Sequence, residues 1–302
     1  MRILTFRRDG DSRPGALLSG DRVLDLSALA PDTLALADGG EALLAAAREA
    51  VAAAEDDHPC GEIHPLSEVA LEAPIPGCRK LFCLAGNYRE HIKEGGRPTY
   101  EKEETYPYFF MKPPTTTLIG TGAALIHPRI GRKMDYEGEF VIVIGRRGKH
   151  IPVEDAESYV LGYTVLNDFS ERSLDSKAPP KAEREMNRFF DWLVGKWCDS
   201  SAPCGPWIVT RDDIADPHAL SLRTTVNGEI RQDSSTAEMI FTVPEIVAFI
   251  SRVVTLEPGD MIATGTPGGV GSARGVFLQP GDTVEVEIEG IGRISNTLIA
   301  EP

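Results

Sequence analysis

Apolar and polar positions alternate from the first residues onward. RILTF, ALLSG and RVLDL each read as a short strand, since period-two alternation turns every second side chain toward a core. An Ala-rich helix, EALLAAAREAVAAAE, and a Pro-containing connector, HPLSEVALEAPIPGC, follow them. Residues 1–74 are thus expected to form a small α+β domain. From Cys78 the texture changes to β-rich segments punctuated by Gly and Pro: FVIVIG, YVLGYTVLND, GPWIVT, LSLRTTVNG, GDMIATGT and TVEVEIEG. They predict a largely β domain over residues 75–302 with few helices, and an overall class of α+β, predominantly β.

Composition narrows the function. The 302 residues are 42% hydrophobic and 25% charged, as in an ordinary globular protein. With 31 Lys and Arg against 46 Asp and Glu, the net charge is −15, which opposes a phosphate-backbone partner, so nucleic acid is not expected. No apolar run approaches the roughly eighteen residues of a membrane span, and MRILTFRRDGDSRPG lacks the apolar core of a signal peptide. A soluble cytoplasmic protein is the expectation. Cys60, Cys78, Cys83, Cys198 and Cys204 are odd in number and show no CxxC spacing, so reduced thiols are expected.

The chemistry concentrates in acidic residues. DYEGEFVIVIG begins polar and becomes a β-branched strand, with Glu137, Glu139, Val141 and Val143 on one face. Carboxylates two apart at the mouth of a buried face repel each other and need opposite charge nearby. A hard dication would provide it, and so would pairing with Arg132 or Lys133 or a solvated sheet edge. Asp168 ends the apolar run YVLGYTVLND, where a strand gives way to a loop. Three oxygen ligands with no Cys partner and no paired His spacing suit Mg²⁺ or Mn²⁺, with Ca²⁺ as an alternative, better than Zn²⁺.

A second candidate lies in AGNYREHIKEGG. Asn87 stands where an N-cap would be, Glu90 where a capping-box acid would be, and Gly95-Gly96 can end the helix. His91 and Glu94 are three apart, hence neighbours on one helical face. The pair suits a general base or, equally, an ordinary surface pair.

Taken in order, NYREH, the ExE of MDYEGEFVIVIG, NDFSER, GKWCDSSAPCGPWIV and IATGTPGGVG resemble the fumarylacetoacetate hydrolase family over residues 78–302. PGALLSGDRVLDL is similar to the small leading domain of many prokaryotic-type members. The resemblance implies a mixed β-sandwich or roll for the catalytic domain, a homodimer, and a small oxo-acid substrate. It makes Glu137, Glu139 and Asp168 the metal carboxylates and His91 with Glu94 the helical base pair of a lid. Lys196 matches the lysine of a GKS-type segment, with Trp197 in place of the usual small residue. Of Lys177, Lys181 and Lys196, only Lys196 is set among Phe189, Phe190, Trp192, Trp197 and Trp207, whose packing would desolvate its ammonium. Arg172 corresponds to an arginine of the family pattern, placed to reach a substrate carboxylate or, alternatively, to form a structural ion pair, Lys112 to a lysine near the cavity, and Thr266 and the backbone near Gly268 to substrate contacts, the alternative for TGTPGG being a tight turn between strands.

The expected activity is metal-dependent hydrolysis of a carbon–carbon bond in a β-diketo or acylpyruvate-type 2-oxo acid, by way of an enolate. The same scaffold also serves 2-oxo acid decarboxylation, isomerisation and sugar-acid cleavage. A non-catalytic metal- or carboxylate-binding module is the alternative of another class.

Overall fold

The segment FVIVI has no polar alternate position, and such a strand needs apolar cover on both faces. The computed structural model, which describes residues 1–96, 99, 101–174 and 185–302, provides that cover. Strand Gly138–Ile144 is buried at every position. On one side Phe140, Ile142 and Ile144 pack with Tyr163, Ile246, Val247, Ile250, Val286 and Ile294. On the other, Val141 and Val143 pack with Leu161, Ile208 and the N-terminal Ile3, Leu24, Leu36 and Leu44.

Among the described residues the strands form sheets of twelve, five and two strands, a mixed α+β architecture rich in strand. The main path of the large sheet runs from Ile63–Pro65 through Arg22–Asp25, Asp11–Leu18, Arg2–Arg8, Ala202–Thr210 and Val160–Asn167. It continues through Gly138–Ile144, Met261–Ala263 and Leu81–Ala85 to Tyr108–Lys112. The five-stranded sheet, ordered Glu229–Ser235, Ser221–Val226, Thr283–Ile288, Gly292–Ala300, Leu125–His127, covers one face.

The large sheet crosses the expected boundary near residue 75. Arg2 pairs with Val209 and Ile3 with Ile208, so the N-terminal strands extend the sheet that carries the acidic residues. Helix Gly40–Glu55 forms where EALLAAAREAVAAAE predicts it, burying Leu44, Ala47, Ala50 and Ala54. Helix Val243–Val253 was not singled out by the periodicity. It announces itself instead through a reciprocal capping box between Thr242 and Glu245 and a proline in its first turn. Its buried Ile246, Val247 and Ile250 close the core over the large sheet.

Close approach of the two sheets depends on Gly138. A Cβ there would fall 2.3 Å from Thr224 Oγ1, so a side chain would push the five-stranded sheet away from the acidic residues. No helix among the described residues is long and apolar enough to cross a membrane.

Candidate active site

Strand pairing brings the three carboxylates together. Gly138 lies opposite Asn167 in the antiparallel pair, so Glu137 and Asp168 leave the ladder at the same end. Asp168 N donates to Glu137 O (2.8 Å), and Glu137 N donates to Asn167 Oδ1 (2.9 Å), fixing both turns. One oxygen each from Glu137, Glu139 and Asp168 lies within 4.8 Å of the others, and all three residues are buried.

The three acids are compensated unequally. Lys196 Nζ donates to Glu137 Oε2 (2.6 Å) and Asp168 Oδ2 (2.7 Å). Lys112 Nζ donates to Asp168 Oδ1 (2.6 Å) and Phe169 O (3.1 Å), and Arg172 Nη2 donates to Glu137 Oε1. Among the described residues Glu139 has only the Gly265 amide on Oε2 (2.8 Å), and its Oε1 is buried without a partner. Gly265 has φ of +90°, a backbone state that favours glycine, and it packs against Asn87.

Burial pushes the Glu139 carboxyl up, and the charges of Asp168 and Glu137 add to it, so it lies well above the ordinary carboxylate range. Burial also raises Glu137, but Lys196 and Arg172 outweigh it and hold the group below that range. Lys196 loses to desolvation yet gains more from Asp168 and Glu137, and it stays protonated.

An orphaned carboxylate oxygen beside two further acids, all hard oxygen donors, fits a hard divalent cation. Glu137, Glu139 and Asp168 are the residues that would hold it. Of the two cations the sequence offers as partners, Arg132 and Lys133, the Lys133 ammonium lies over the Phe277 ring, 5.4 Å from the centroid, while Glu137 pairs with Lys196 and Arg172.

A cavity of about 230 Å³ opens on this group, lined by Glu137, Lys196, Arg172, His91, Thr266 and Ser272 on its polar side. Leu84, Ile92, Phe110 and Trp192 supply the apolar side. His91 Nδ1 is 2.9 Å from Glu94 Oε1, and Glu94 Oε2 accepts from Gly269 N (2.7 Å), which ties helix Arg89–Glu94 to the TGTPGG segment. Thr266 Oγ1 donates to Gly138 O (3.0 Å).

Other expected residues lie elsewhere. Lys112 is wholly buried behind Asp168 and holds that carboxylate instead of lining the cavity. Gly268 borders a separate outer depression with Glu90, Glu94, Arg231 and Arg274. Trp207 is also remote, its Nε1 donating to Ile291 O (2.5 Å), and Phe189 and Phe190 are more than half exposed. The Phe110 ring lies 5.4 Å from Lys196 Nζ to centroid, and Trp192 packs edge-on to Phe110 at 5.1 Å. Lys177 and Lys181 lie outside the described residues.

Asn87 does not cap the helix. Tyr88 occupies the N-cap with no side-chain bond, while Asn87 Nδ2 donates to Thr264 O (2.8 Å) and its Oδ1 accepts from Phe241 N (2.8 Å). The reason is burial: a buried amide flanked by two loops satisfies their backbone before a helix end that water can serve.

Two site residues escaped the sequence reading. Asp135 is buried and accepts from Arg172 Nε (3.0 Å), Gly271 N (2.6 Å) and Ser272 N (3.0 Å). Its only signal is a third acid in the polar start of DYEGE. Gln232 accepts from Gly138 N (3.0 Å) and donates to Thr266 Oγ1 (2.8 Å) and Pro267 O (2.9 Å), with no motif to mark it.

Known proteins resemble this chain at the level of family. A family model described as fumarylacetoacetate (FAA) hydrolase C-terminal matches residues 80–299. The mitochondrial oxaloacetate tautomerase FAHD2B of Homo sapiens is 37% identical over 308 residues, 99% of this chain and 92% of that protein. Fumarylacetoacetate hydrolase from Exiguobacterium antarcticum superposes with a TM-score of 0.81 at 32% identity, covering 100% of both chains. Maleylpyruvate hydrolase from Sphingobium sp. SYK-6, solved with manganese(II) ion and pyruvate, gives 0.79 at 28% identity, also over 100% of both. The ordered motifs, the buried acid triad and the family match across most of the chain agree, and the protein belongs to the fumarylacetoacetate hydrolase family, which has hydrolase, isomerase and tautomerase members.

Proposed function

We propose that this chain catalyses proton transfer on a small 2-oxo acid through its enolate, interconverting enol and keto forms. The observation that carries the reading is one cavity bordered by both a proton carrier, His91, and a buried cation, Lys196. At about 230 Å³ the cavity falls below the 300–1,000 Å³ usual for drug-sized ligands, which favours a substrate of few carbons.

A divalent cation held by Glu137, Glu139 and Asp168 would supply Lewis-acid polarisation of a carbonyl. The chain's own groups do the rest. With Nδ1–H donated to Glu94, the imidazole keeps Nε2 as an acceptor for a proton from carbon or hydroxyl. Gly269 N anchors the other Glu94 oxygen and so fixes the ring's orientation. Lys196, held protonated, meets charge developing on the enolate oxygen in a site that Phe110 and Trp192 shield from water. The oxaloacetate tautomerase relative, similar over nearly the whole chain, supports this reading.

Hydrolysis of a carbon–carbon bond, the activity expected from the sequence, is the second reading. It is favoured by the same His91–Glu94 pair, which can deprotonate a water, and by the maleylpyruvate hydrolase likeness. Enol decay of oxaloacetate and cleavage of an acylpyruvate, each followed with Mn²⁺ present, separate the two. The first reading expects fast enol decay that falls about 10²–10⁴-fold in His91→Ala. Unchanged decay in that variant, or acylpyruvate cleavage alone, would reject it.

A further inference from the structure

Helix Arg89–Glu94 has six residues and no side-chain bond at its N-cap, too little by itself to hold His91 in one orientation. Its last residue supplies the hold. Glu94 Oε1 meets His91 Nδ1 at 2.9 Å, and Glu94 Oε2 accepts from Gly269 N at 2.7 Å. The direction of one peptide N–H therefore sets the direction of the imidazole.

Gly269 needs an outside restraint to keep that direction. It has φ of +106°, and a Cβ there would fall 2.2 Å from Arg231 O, so the position takes glycine, the residue with the widest backbone freedom. Gln232 fixes the turn at Thr266 and Pro267, two residues short of it. The restraint on Gly269 comes from Tyr136, whose hydroxyl donates to Gly269 O at 3.0 Å. The Tyr136 ring is buried among Met134, Phe169, Val226 and Leu278, so the hydroxyl is presented from a close-packed base. Gly269 is thus clamped at its carbonyl by Tyr136 and at its amide by Glu94. Tyr136 borders neither the cavity nor the outer depression, so it acts on the site only through what it holds.

We infer that Tyr136 is a positioning residue for the His91–Glu94 pair: by clamping Gly269 it keeps Glu94 directed at His91 Nδ1, so that Nε2 remains the proton acceptor. This inference rests on the proton-transfer reading above and adds to it the residue that selects the tautomer.

The test is Tyr136→Phe, which keeps the ring and removes the hydroxyl. In ¹⁵N NMR of the Mg²⁺-loaded full-length protein, the His91 signals, identified by their loss in His91→Ala, should show the neutral ring chiefly as the Nδ1–H tautomer. Tyr136→Phe should move the tautomer ratio at least about threefold toward Nε2–H, the change expected from one lost hydrogen bond. In enol decay of oxaloacetate the variant should lower kcat about three- to tenfold with KM unchanged, and have no further effect when His91 is already alanine. Mn²⁺ affinity should equal the parent's, since Glu137, the next residue, is not the route. An unchanged tautomer ratio, an equal kcat loss in both backgrounds, a loss that tracks weaker metal binding, or a lowered melting temperature alone would each overturn the assignment. If the parent does not accelerate enol decay, the proton-transfer reading fails by itself, and the tautomer ratio still decides what Tyr136 does.

Discussion

At the scale of single residues, the site is an exercise in charge compensation at low dielectric. Removing one partner of a buried ion pair leaves the other uncompensated, at about 3–5 kcal/mol. Lys196 compensates two acids at once, Glu137 and Asp168. Lys196→Met should therefore lower unfolding free energy by about that amount in urea titration, and added Mn²⁺ should recover part of it. A variant as stable as the parent without metal would show that the lysine is not what neutralises the acids.

Glu139 makes a separate prediction about pH. Its folded-state value lies above the ordinary 4.5, so between the two the folded chain binds more protons than the unfolded chain. Stability then falls as pH rises through that window. Asp260, also raised by burial, acts in the same direction, whereas the lowered Glu137 adds stability above 4.5 that is lost as pH falls. Metal-free protein should thus lose melting temperature as pH rises above the ordinary 4.5. Glu139→Gln should flatten that decline, and an identical slope in the variant would contradict the assignment.

At the scale of elements, what matters is how loops are pinned to strands. Gln232 projects from strand Glu229–Ser235 and reaches both the start of strand Gly138–Ile144 and the TGTPGG turn. Truncation leaves the buried Gly138 amide unpaired, and an unsatisfied buried donor costs about 1–3 kcal/mol. Gln232→Ala should show a loss in that range by chemical denaturation, together with weaker metal binding, because the strand it braces carries Glu139 and begins immediately after Glu137. A stability loss with metal affinity intact would reduce Gln232 to a packing role. Strand placement was legible beforehand from β-branched runs, and helix Gly40–Glu55 from its alanines, because both signals are local. The N-cap expected at Asn87 fails for the opposite reason: its amide is claimed by Thr264 and Phe241, more than 150 residues away.

At the scale of the whole molecule, the N-terminal strands are part of the sheet that bears the site. Deleting residues 1–71 would strip strand Ala202–Thr210 of its partner Arg2–Arg8 and uncover Val141, Leu161 and Ile208. An unpaired edge next to an apolar face associates with other chains. The shortened protein should elute as aggregate in size-exclusion chromatography, and a well-behaved, active fragment would show that the two parts are separable. The sequence alone determined which acids are available, the strand that presents Glu137 and Glu139, the helical His91–Glu94 neighbours, and the order of motifs. All of these follow from periodicity and spacing along one stretch of chain. The tertiary structure alone decided that Lys112 lies behind Asp168, that Arg172 is shared between Asp135 and Glu137, and that Ser272 reaches the cavity mouth. Those pairings join segments dozens to more than a hundred residues apart, and a distance across a folded core is set by packing, which no local pattern encodes.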